Sequence, residues 1–311
     1  MLVGGNDMRL VTRSDFDGLG CGVLLSEIGI IDSFKFVHPK DVQDGKVEVT
    51  SDDVLANVPY VPGCGLWFDH HSSEAERALH QENYQGCCKP APSTARVIYD
   101  YYGGKEKFGR LDELMAAVDK YDSGMLDRED VLHPTDWILL AFVMDPRTGL
   151  GRYHDYRISN YQLMAEMIEY CRTRPVDEIQ EIPDVEHRIN RYFAHEPKFR
   201  EFLAAHSTIH QNVLVTDLRG VAETPCGNRF VVYAMYPETD ISIRIIDGKA
   251  NAFCVFAVGH SIFNRTSKTD VGSLMLRYGG GGHQQSGTCQ ISYDDADRVL
   301  KELIAQMNQD G

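Results

Sequence analysis

The sequence lacks the features that would connect the protein with a membrane or an export route. No apolar run approaches the roughly 20 residues that a membrane-spanning helix needs. The N-terminal stretch MLVGGNDMRLVTRSDFDG has no basic segment followed by a long apolar one, so we do not expect a signal peptide. We therefore expect a cytoplasmic protein that does not bind membranes.

An excess of basic residues is also missing, because the formal net charge is −15. A protein that wraps long duplex nucleic acid needs a basic surface, so this function is not expected. A small anionic substrate stays compatible with the charge, since a carboxylate cluster that holds divalent cations is locally positive.

The eight cysteines form no C-x-x-C pair, and Cys87 and Cys88 are adjacent, which is poor geometry for a shared zinc ion. We interpret them as reduced thiols of a cytosolic protein. No internal repeat or low-complexity tract occurs in the sequence.

The 311 residues suggest two domains. Short apolar runs and helical patterns are mixed in the first part, which favours an α/β domain with a largely parallel sheet. There the patterns predict strands around Leu10 and at 33–38, 46–50 and 64–68, and helices at 93–103 and 111–124.

The last third of the chain is richer in strand-like runs, which we predict at 212–218, 230–236, 241–247, 251–259 and 287–292. Asp247-Gly248 predicts a hairpin turn, and helices are expected at 270–278 and 294–308. We place an N-terminal domain at 1–183, a helical linker at 184–210 and a smaller mixed-sheet α/β domain at 211–311.

Acidic and imidazole side chains follow three predicted strands. Asp15 and Asp17 come after the first, Asp52 and Asp53 after the run 46–50, and Asp69-His70-His71 after the run 64–68. Each alone is common turn chemistry. The carboxyl ends of parallel strands open onto one crevice, so together they predict a cluster whose repulsion cations relieve. Carboxylate and imidazole ligands suit Mn²⁺ or Mg²⁺.

Four consecutive glycines, Gly279 to Gly282, precede His283. Their backbone N–H groups could bind an anion at close range, although a flexible linker has the same composition. The position between an apolar helix and an apolar strand favours the anion-binding loop.

Five motifs together resemble the DHH phosphoesterase superfamily in its two-domain form, with a C-terminal DHHA1 domain. They are SDFDG (14–18), DD (52–53), FDHH (68–71), VDKYDSG (118–124) and YGGGGHQQSG (278–287). The resemblance covers nearly the whole chain. It implies a Rossmann-like DHH domain and the smaller DHHA1 domain.

The resemblance implies two divalent cations, usually Mn²⁺, with Mg²⁺ or Co²⁺ as other options. The implied metal ligands, by position in the motifs, are Asp15, Asp17, Asp53, His70 and Asp122, with Asp52 as the alternative to Asp53 and Asp119 as the alternative to Asp122. In the third motif, Asp69 would hold an imidazole in place, and His71 is a candidate proton donor.

The sequence departs from the family at the histidine that relatives carry shortly before the first aspartate. Val11 and Arg13 occupy those positions here. Either one metal site lacks an imidazole, or His38 supplies it. Arg13 is alternatively a phosphate contact.

In the second domain, the resemblance implies that Arg265 and the run Gly279, Gly280, Gly281, Gly282 and His283 bind the substrate. An arginine offers phosphate a forked pair of donors that lysine cannot. Lys268 has a weaker claim.

The function that the resemblance implies is hydrolysis of a phosphodiester by a hydroxide held between two ions. We expect a small nucleotide or oligonucleotide as substrate, with linear dinucleotides such as pGpG or pApA cleaved to mononucleotides, as in nanoRNases. The alternatives are an exopolyphosphatase, a phosphatase of 3′-phosphoadenosine 5′-phosphate, and a nucleotide sensor that has lost hydrolysis. A homodimer is compatible with the resemblance.

Overall fold

The structure is a computed structural model that describes residues 8–71 and 84–311, and it divides into two compact units. The first unit contains the described residues up to Leu126 together with Pro134–Tyr192. The second contains Asp127–His133 and Phe193–Gly311.

A five-stranded sheet forms the centre of the first unit. Its strands are β1 (Met8–Arg13), β2 (Ile31–Val37), β3 (Asp53–Ala56), β4 (Leu66–Asp69) and β5 (Gly86–Cys88). The order across the sheet is β2-β1-β3-β4-β5, and every pairing is parallel. Leu10 and Val11 on successive faces of β1 are both fully buried, as expected for a parallel sheet covered on both sides.

The described residues from 16 to 180 form nine helices. They are α1 (Phe16–Glu27), α2 (Pro39–Gln43), α3 (Thr94–Tyr101), α4 (Lys105–Phe108), α5 (Asp112–Asp122), α6 (Arg128–Leu132, which belongs to the second unit), α7 (Asp136–Met144), α8 (Asn160–Thr173) and α9 (Val176–Gln180). Short 3-10 turns lie at Gly109–Leu111, Pro146–Thr148 and Leu150–Arg152.

Glycines in α1 allow this helix to pack tightly among its neighbours. A Cβ on Gly22 would lie 2.8 Å from the Ile168 Cδ1 atom of α8. A Cβ on Gly18 would lie 2.0 Å from the carbonyl oxygen of Arg13. The first turn of α1 is therefore pressed against the end of β1, where Asp15 and Asp17 lie.

A six-stranded mixed sheet forms the second unit. Its strands are β6 (Ser207–His210), β7 (Val213–Asp217), β8 (Ile241–Asp247), β9 (Cys254–His260), β10 (Gly281–His283) and β11 (Ser286–Ile291). The order is β10-β11-β9-β8-β7-β6, and only the pairing of β7 with β8 is parallel among these strands.

The remaining helices are α10 (Pro183–His206), within which the two units divide, α11 (Val231–Met235), α12 (Val271–Leu276) and α13 (Tyr293–Asp310), with a 3-10 turn at Lys249–Asn251. In α13, Ala296, Val299, Leu303 and Met307 recur at helical spacing and are buried against the sheet. Among the described helices, none has the length and apolar character needed to cross a bilayer. The predicted fold class, a parallel α/β sheet followed by a smaller mixed-sheet α/β part, is confirmed.

Two predicted strands are wrong. The run 46–50 forms no strand, because Val47 and Val49 pack their side chains against the apolar cluster around Trp67 without joining the ladder. The run 230–236 is the short helix α11, since a short apolar run has the same composition in a buried strand and a buried helix. The predicted turn at Asp247-Gly248 does join antiparallel strands, through a longer connection that includes the 3-10 turn.

Candidate metal centre

Three of the predicted metal ligands meet at the carboxyl edge of the parallel sheet. Asp17 lies in the first turn of α1, His70 follows β4, and Asp122 is the last residue of α5. One ligand atom from each lies within 4.8 Å of those of the other two. Nε2 of His70 is 3.2 Å from Oδ2 of Asp122 and 4.0 Å from Oδ2 of Asp17.

The ring of His70 is held in the orientation that a metal ligand needs. Its Nδ1 lies 3.0 Å from the carbonyl oxygen of Ala91, which can only accept a hydrogen bond. In the neutral imidazole Nδ1 therefore carries the hydrogen, and Nε2 presents its lone pair to the two carboxylates.

Asp17 is buried at the start of a helix. Its two oxygens accept hydrogen bonds from the backbone N–H groups of Thr94 at 3.0 Å and Ala95 at 2.8 Å, in the first turn of α3. Burial nevertheless raises the pKa of Asp17, because desolvation outweighs these bonds and the favourable electrostatic interaction with His70.

The pKa of Asp122 is raised well above its ordinary value, first by desolvation within the cluster, although its side chain is 27% exposed, and then by the charges of Asp17 and Asp15. The buried carboxylate of Asp17 and the partly exposed one of Asp122 repel each other beside Nε2 of His70, and together these groups are a donor set for a divalent cation. The residues at this edge therefore fit the ion that the family implies.

Asp69 and His71 form a second group with His70. Oδ1 of Asp69 accepts from the backbone N–H of His70 at 2.7 Å and from Nδ1 of His71 at 2.7 Å. Burial lowers the pKa of His71, but the hydrogen bond with Asp69 and the charge of that carboxylate outweigh it, so the pKa is raised overall. Asp69 is thus bonded to the imidazole of His71.

Asp15 lies beside this cluster with both oxygens occupied by protein groups. Oδ1 accepts from the Gly18 N–H at 2.9 Å and from Nδ2 of Asn57 at 3.1 Å. Oδ2 is 3.0 Å from Nε of Arg13. Asp15 is therefore the N-cap of α1 and half of an ion pair.

The structure does not bring Asp53 or Asp52 to the centre, which corrects the prediction. Asp53 opens β3 at the amino edge of the sheet, where it accepts from Nε of Arg9 at 2.7 Å and from the Thr50 N–H at 2.7 Å. Asp52 precedes it and is exposed. The error follows from the wrong strand at 46–50, because the true strand begins at Asp53 rather than ending before it.

Asn57 occupies the position where a carboxylate was expected. It follows β3 directly, is buried, and adopts a positive φ of 56° that asparagine tolerates better than most residues. The sequence signal that could have found it is the apolar run Val54-Leu55-Ala56, which marks the real strand and ends at this asparagine.

The two other alternative ligands also lie outside the described cluster. Asp119 accepts from the Ser93 hydroxyl at 2.7 Å and from Nε of Arg96 at 2.8 Å. His38 caps α2, and its Nδ1 accepts from the Lys40 N–H at 3.1 Å. Between Asp122 and Asp119, the geometry places Asp122 with His70.

The glycine run of the second unit is part of a hairpin rather than an open loop. Gly281 pairs with Thr288 and His283 with Ser286, which corrects the predicted loop over this part of the run. Gly279 and Gly280 lie in the turn after α12.

Arg265 and Lys268 lie in the connection between β9 and α12, and both are exposed. Nε of Arg265 donates to the carbonyl oxygen of Ile262 at 2.9 Å.

A pocket of about 450 Å³ in the first unit borders Ser14, the neighbour of Asp15. Its lining combines the polar side chains of Arg152 and Asn160 with apolar ones such as Met144 and Leu163. No local pattern in the sequence indicates this pocket, because its walls come from segments far apart in the chain.

Neither the protein-family models nor the curated proteins searched contain a match to this chain. Solved structures do match. The pGpG-specific phosphodiesterase PggH from Vibrio cholerae is 49% identical, with a TM-score of 0.83 over 98% of this chain and 100% of that one. RecJ from Thermus thermophilus, in complex with Mn²⁺, is 12% identical, with a TM-score of 0.53 over 97% of this chain and 52% of that one. An exopolyphosphatase-related protein from Bacteroides fragilis is 12% identical, with a TM-score of 0.49 over 96% of this chain and 92% of that one.

The fold, the Asp-His-His cluster and the likeness to PggH define a hydrolase that acts on phosphoric ester bonds. The chain belongs to the DHH phosphoesterase superfamily, and Asp69, His70 and His71 are its Asp-His-His motif.

Proposed function

We propose that the protein is a divalent-metal-dependent phosphodiesterase that hydrolyses short linear dinucleotides, pGpG foremost, to mononucleotides. The observation that carries the proposal is the full-length 49% identity to a pGpG-specific phosphodiesterase. The cluster of Asp17, His70 and Asp122 supplies the chemistry at the expected edge of the sheet.

The proposed metal ligands are Asp17, His70 and Asp122, and Mn²⁺ is the proposed ion, with Mg²⁺ and Co²⁺ as other candidates. A bound divalent cation lowers the pKa of water and withdraws charge from a phosphoryl oxygen. The chain positions the reacting groups: Ala91 orients His70, and the first turn of α3 fixes Asp17. Hydrolysis adds water's OH to phosphorus, and the departing ribose oxygen takes up a proton.

We assign that proton to His71. Asp69 accepts the Nδ1 hydrogen of His71 at 2.7 Å, so transfer to the leaving oxygen would use Nε2. The carboxylate of Asp69 stabilises the ring in this tautomer, as a buried orienting group does in other acid–base pairs.

The pocket beside Ser14 supports a short substrate. Its volume of about 450 Å³ accommodates one nucleoside, and its lining includes the polar side chains of Arg152 and Asn160, of which Asn160 already accepts from Nε of Arg188 through Oδ1. We propose that one nucleoside of the dinucleotide binds here, while the phosphodiester lies at the neighbouring Asp17.

In the second unit, we propose that Arg265 and the run from Gly279 to His283 bind a substrate phosphate or base. The support is the exposure of the Arg265 side chain and its forked donor geometry. Lys268 nearby is the weaker candidate.

We also propose a cytoplasmic location, which the absence of disulfide bonds among the eight cysteines supports.

The decisive experiment offers purified protein and Mn²⁺ a panel of pGpG, pApA, 3′-phosphoadenosine 5′-phosphate and polyphosphate, with products separated by chromatography. We expect rapid formation of GMP from pGpG. Cleavage of polyphosphate with both dinucleotides untouched would overturn the proposal. His70→Ala should abolish turnover, while His38→Ala, which removes an exposed imidazole outside the cluster, should leave it unchanged.

A further inference from the structure

We infer that the centre holds one divalent ion per chain and that Arg13 takes the place of the second cation that the superfamily implies. The inference rests on the proposed metal-dependent function of the same site. It starts from what surrounds Asp15, the carboxylate that would have to serve the second ion.

The first argument is that both oxygens of Asp15 are already engaged by protein groups in the observed arrangement. The Gly18 N–H and the Asn57 side-chain amide both donate to Oδ1, at 2.9 and 3.1 Å. Nε of Arg13 lies 3.0 Å from Oδ2. The two donors fill the lone pairs of Oδ1, so an ion could use only the remaining lone pair of Oδ2, directly beside the Arg13 guanidinium, in a carboxylate that is 6% exposed.

The second argument concerns the group between the two sites. A ligand shared by two ions must present negative charge to both, which a carboxylate does and a neutral amide does not. At the carboxyl end of β3 the chain has Asn57, whose NH₂ group faces Asp15. The aspartate of this segment, Asp53, is at the other end of the strand and is bound to Arg9.

The third argument is the missing imidazole. Asp15 belongs to neither of the two described groups of possible metal ligands, both of which contain His70, and His38 caps α2 instead. Of the ligands expected for a second ion, the histidine is replaced by Arg13 and the shared carboxylate by Asn57. Another ligand could compensate for one of these two replacements. Both together leave Asp15 as the one remaining ligand among those expected for the second ion.

Charge gives the fourth argument. Asp17 and Asp122 together neutralise one divalent cation, and the Asp15 carboxylate is neutralised by the Arg13 guanidinium. A second divalent ion would place uncompensated positive charge against Arg13, which stays protonated in proteins.

Arg13 can perform one task of the absent ion. Its side chain is 39% exposed, and one N–H group is used by Asp15, so further N–H groups can reach non-bridging phosphate oxygens. A guanidinium fixed by a buried carboxylate is a preorganised positive charge of the kind that stabilises a phosphoryl transition state.

The test counts bound Mn²⁺ by equilibrium dialysis and by electron paramagnetic resonance. We expect one Mn²⁺ per chain and no spin-coupled pair. Two ions of similar affinity would overturn the inference and leave the proposed function intact. Binding of none would overturn both, so the two failures are distinguishable.

Variants test both the number of bound ions and the role of Arg13. Asn57→Asp combined with Arg13→His should create a second Mn²⁺ site and a spin-coupled signal, with circular dichroism confirming the fold. Arg13→Ala should keep one Mn²⁺ while kcat falls about 100-fold, and Arg13→Lys should restore part of it. If Arg13→Ala retains full kcat, the assigned role of Arg13 is wrong.

Discussion

Asp53 and Arg9 face each other at the amino edge of the parallel sheet, in register across β1 and β3, with Oδ1 of Asp53 2.7 Å from Nε of Arg9. The same strand ends at Ala56, and the next residue, Asn57, lies beside Asp15. The carboxylate and the amide thus lie at opposite ends of β3, with Asp53 paired to Arg9 and Asn57 bonded to Asp15.

This relationship predicts that Asp53→Ala lowers stability and spares turnover. The substitution removes a buried carboxylate that Arg9 and Thr50 contact, at a cost of about 1–3 kcal/mol in the free energy of unfolding. Urea unfolding measures that cost. At urea concentrations well below the unfolding transition, kcat should stay within about threefold of the wild-type value, as expected for a residue outside the site. If Asp53→Ala instead abolished turnover and left the free energy of unfolding unchanged, Asp53 would belong to the metal centre.

Asp122 and Asp119 offer a matched comparison on one helix. Asp122→Asn should abolish Mn²⁺ binding, because its carboxylate faces His70 at 3.2 Å. Asp119→Asn should retain Mn²⁺ binding, since that carboxylate is paired with Ser93 and Arg96. Equilibrium dialysis of the two variants decides between them, and the reverse pattern would refute the geometry.

Metal binding should stabilise the protein against heat. Desolvation raises the pKa values of Asp17 and Asp122, and the charge of Asp15 raises both further, so an ion between the two carboxylates relieves a cost of folding. Mn²⁺ at 100 times its Kd should add about 2.7 kcal/mol to the free energy of unfolding. Scanning calorimetry should show Tm rising with Mn²⁺ and falling with a chelator. Asp122→Asn should lose this response, and an equal response in that variant would contradict the assignment.

The pocket beside Ser14 is tested by Arg152→Ala. We expect KM for pGpG to rise at least about tenfold, the loss of roughly one good hydrogen-bonding contact, with a smaller effect on kcat. Lys105→Ala is the control, because its side chain is 85% exposed and makes only a 3.8 Å contact with Asp112. Equal kinetics in both variants would exclude the pocket as a nucleoside site.

Arg265 and Lys268 allow the same comparison in the second unit. Arg265→Ala should raise KM for the dinucleotide, whereas Lys268→Ala should have little effect, since lysine lacks the forked donor geometry. Steady-state kinetics on both variants, with Mn²⁺ saturating, provide the measurement. If Lys268→Ala raised KM more than Arg265→Ala did, Lys268 would be the stronger candidate for the substrate contact.

Much of this molecule could be predicted because its signals are local. The motif FDHH places Asp69, His70 and His71 at the end of an apolar strand, and the structure has them there. The fold class followed from strands mixed with helices. Helical spacing likewise predicted α13.

What could not be predicted depends on pairing and on contacts between distant segments. The apolar–polar alternation in residues 46–50 arises because Val47 and Val49 pack against Trp67, and not because the segment is a strand. The strand was therefore predicted too early in the chain, before Asp53 instead of before Asn57. The ion pair of Arg13 with Asp15 depends on side-chain geometry, so the sequence revealed only that a histidine was missing.

The most direct test of the account is the rate of GMP formation from pGpG by the purified protein, with Mn²⁺ and after removal of divalent ions by a chelator. The account predicts rapid cleavage with Mn²⁺, loss of cleavage with the chelator, and no cleavage by His70→Ala in either condition. Undiminished cleavage in the metal-free protein, or intact pGpG in the presence of Mn²⁺, would contradict it.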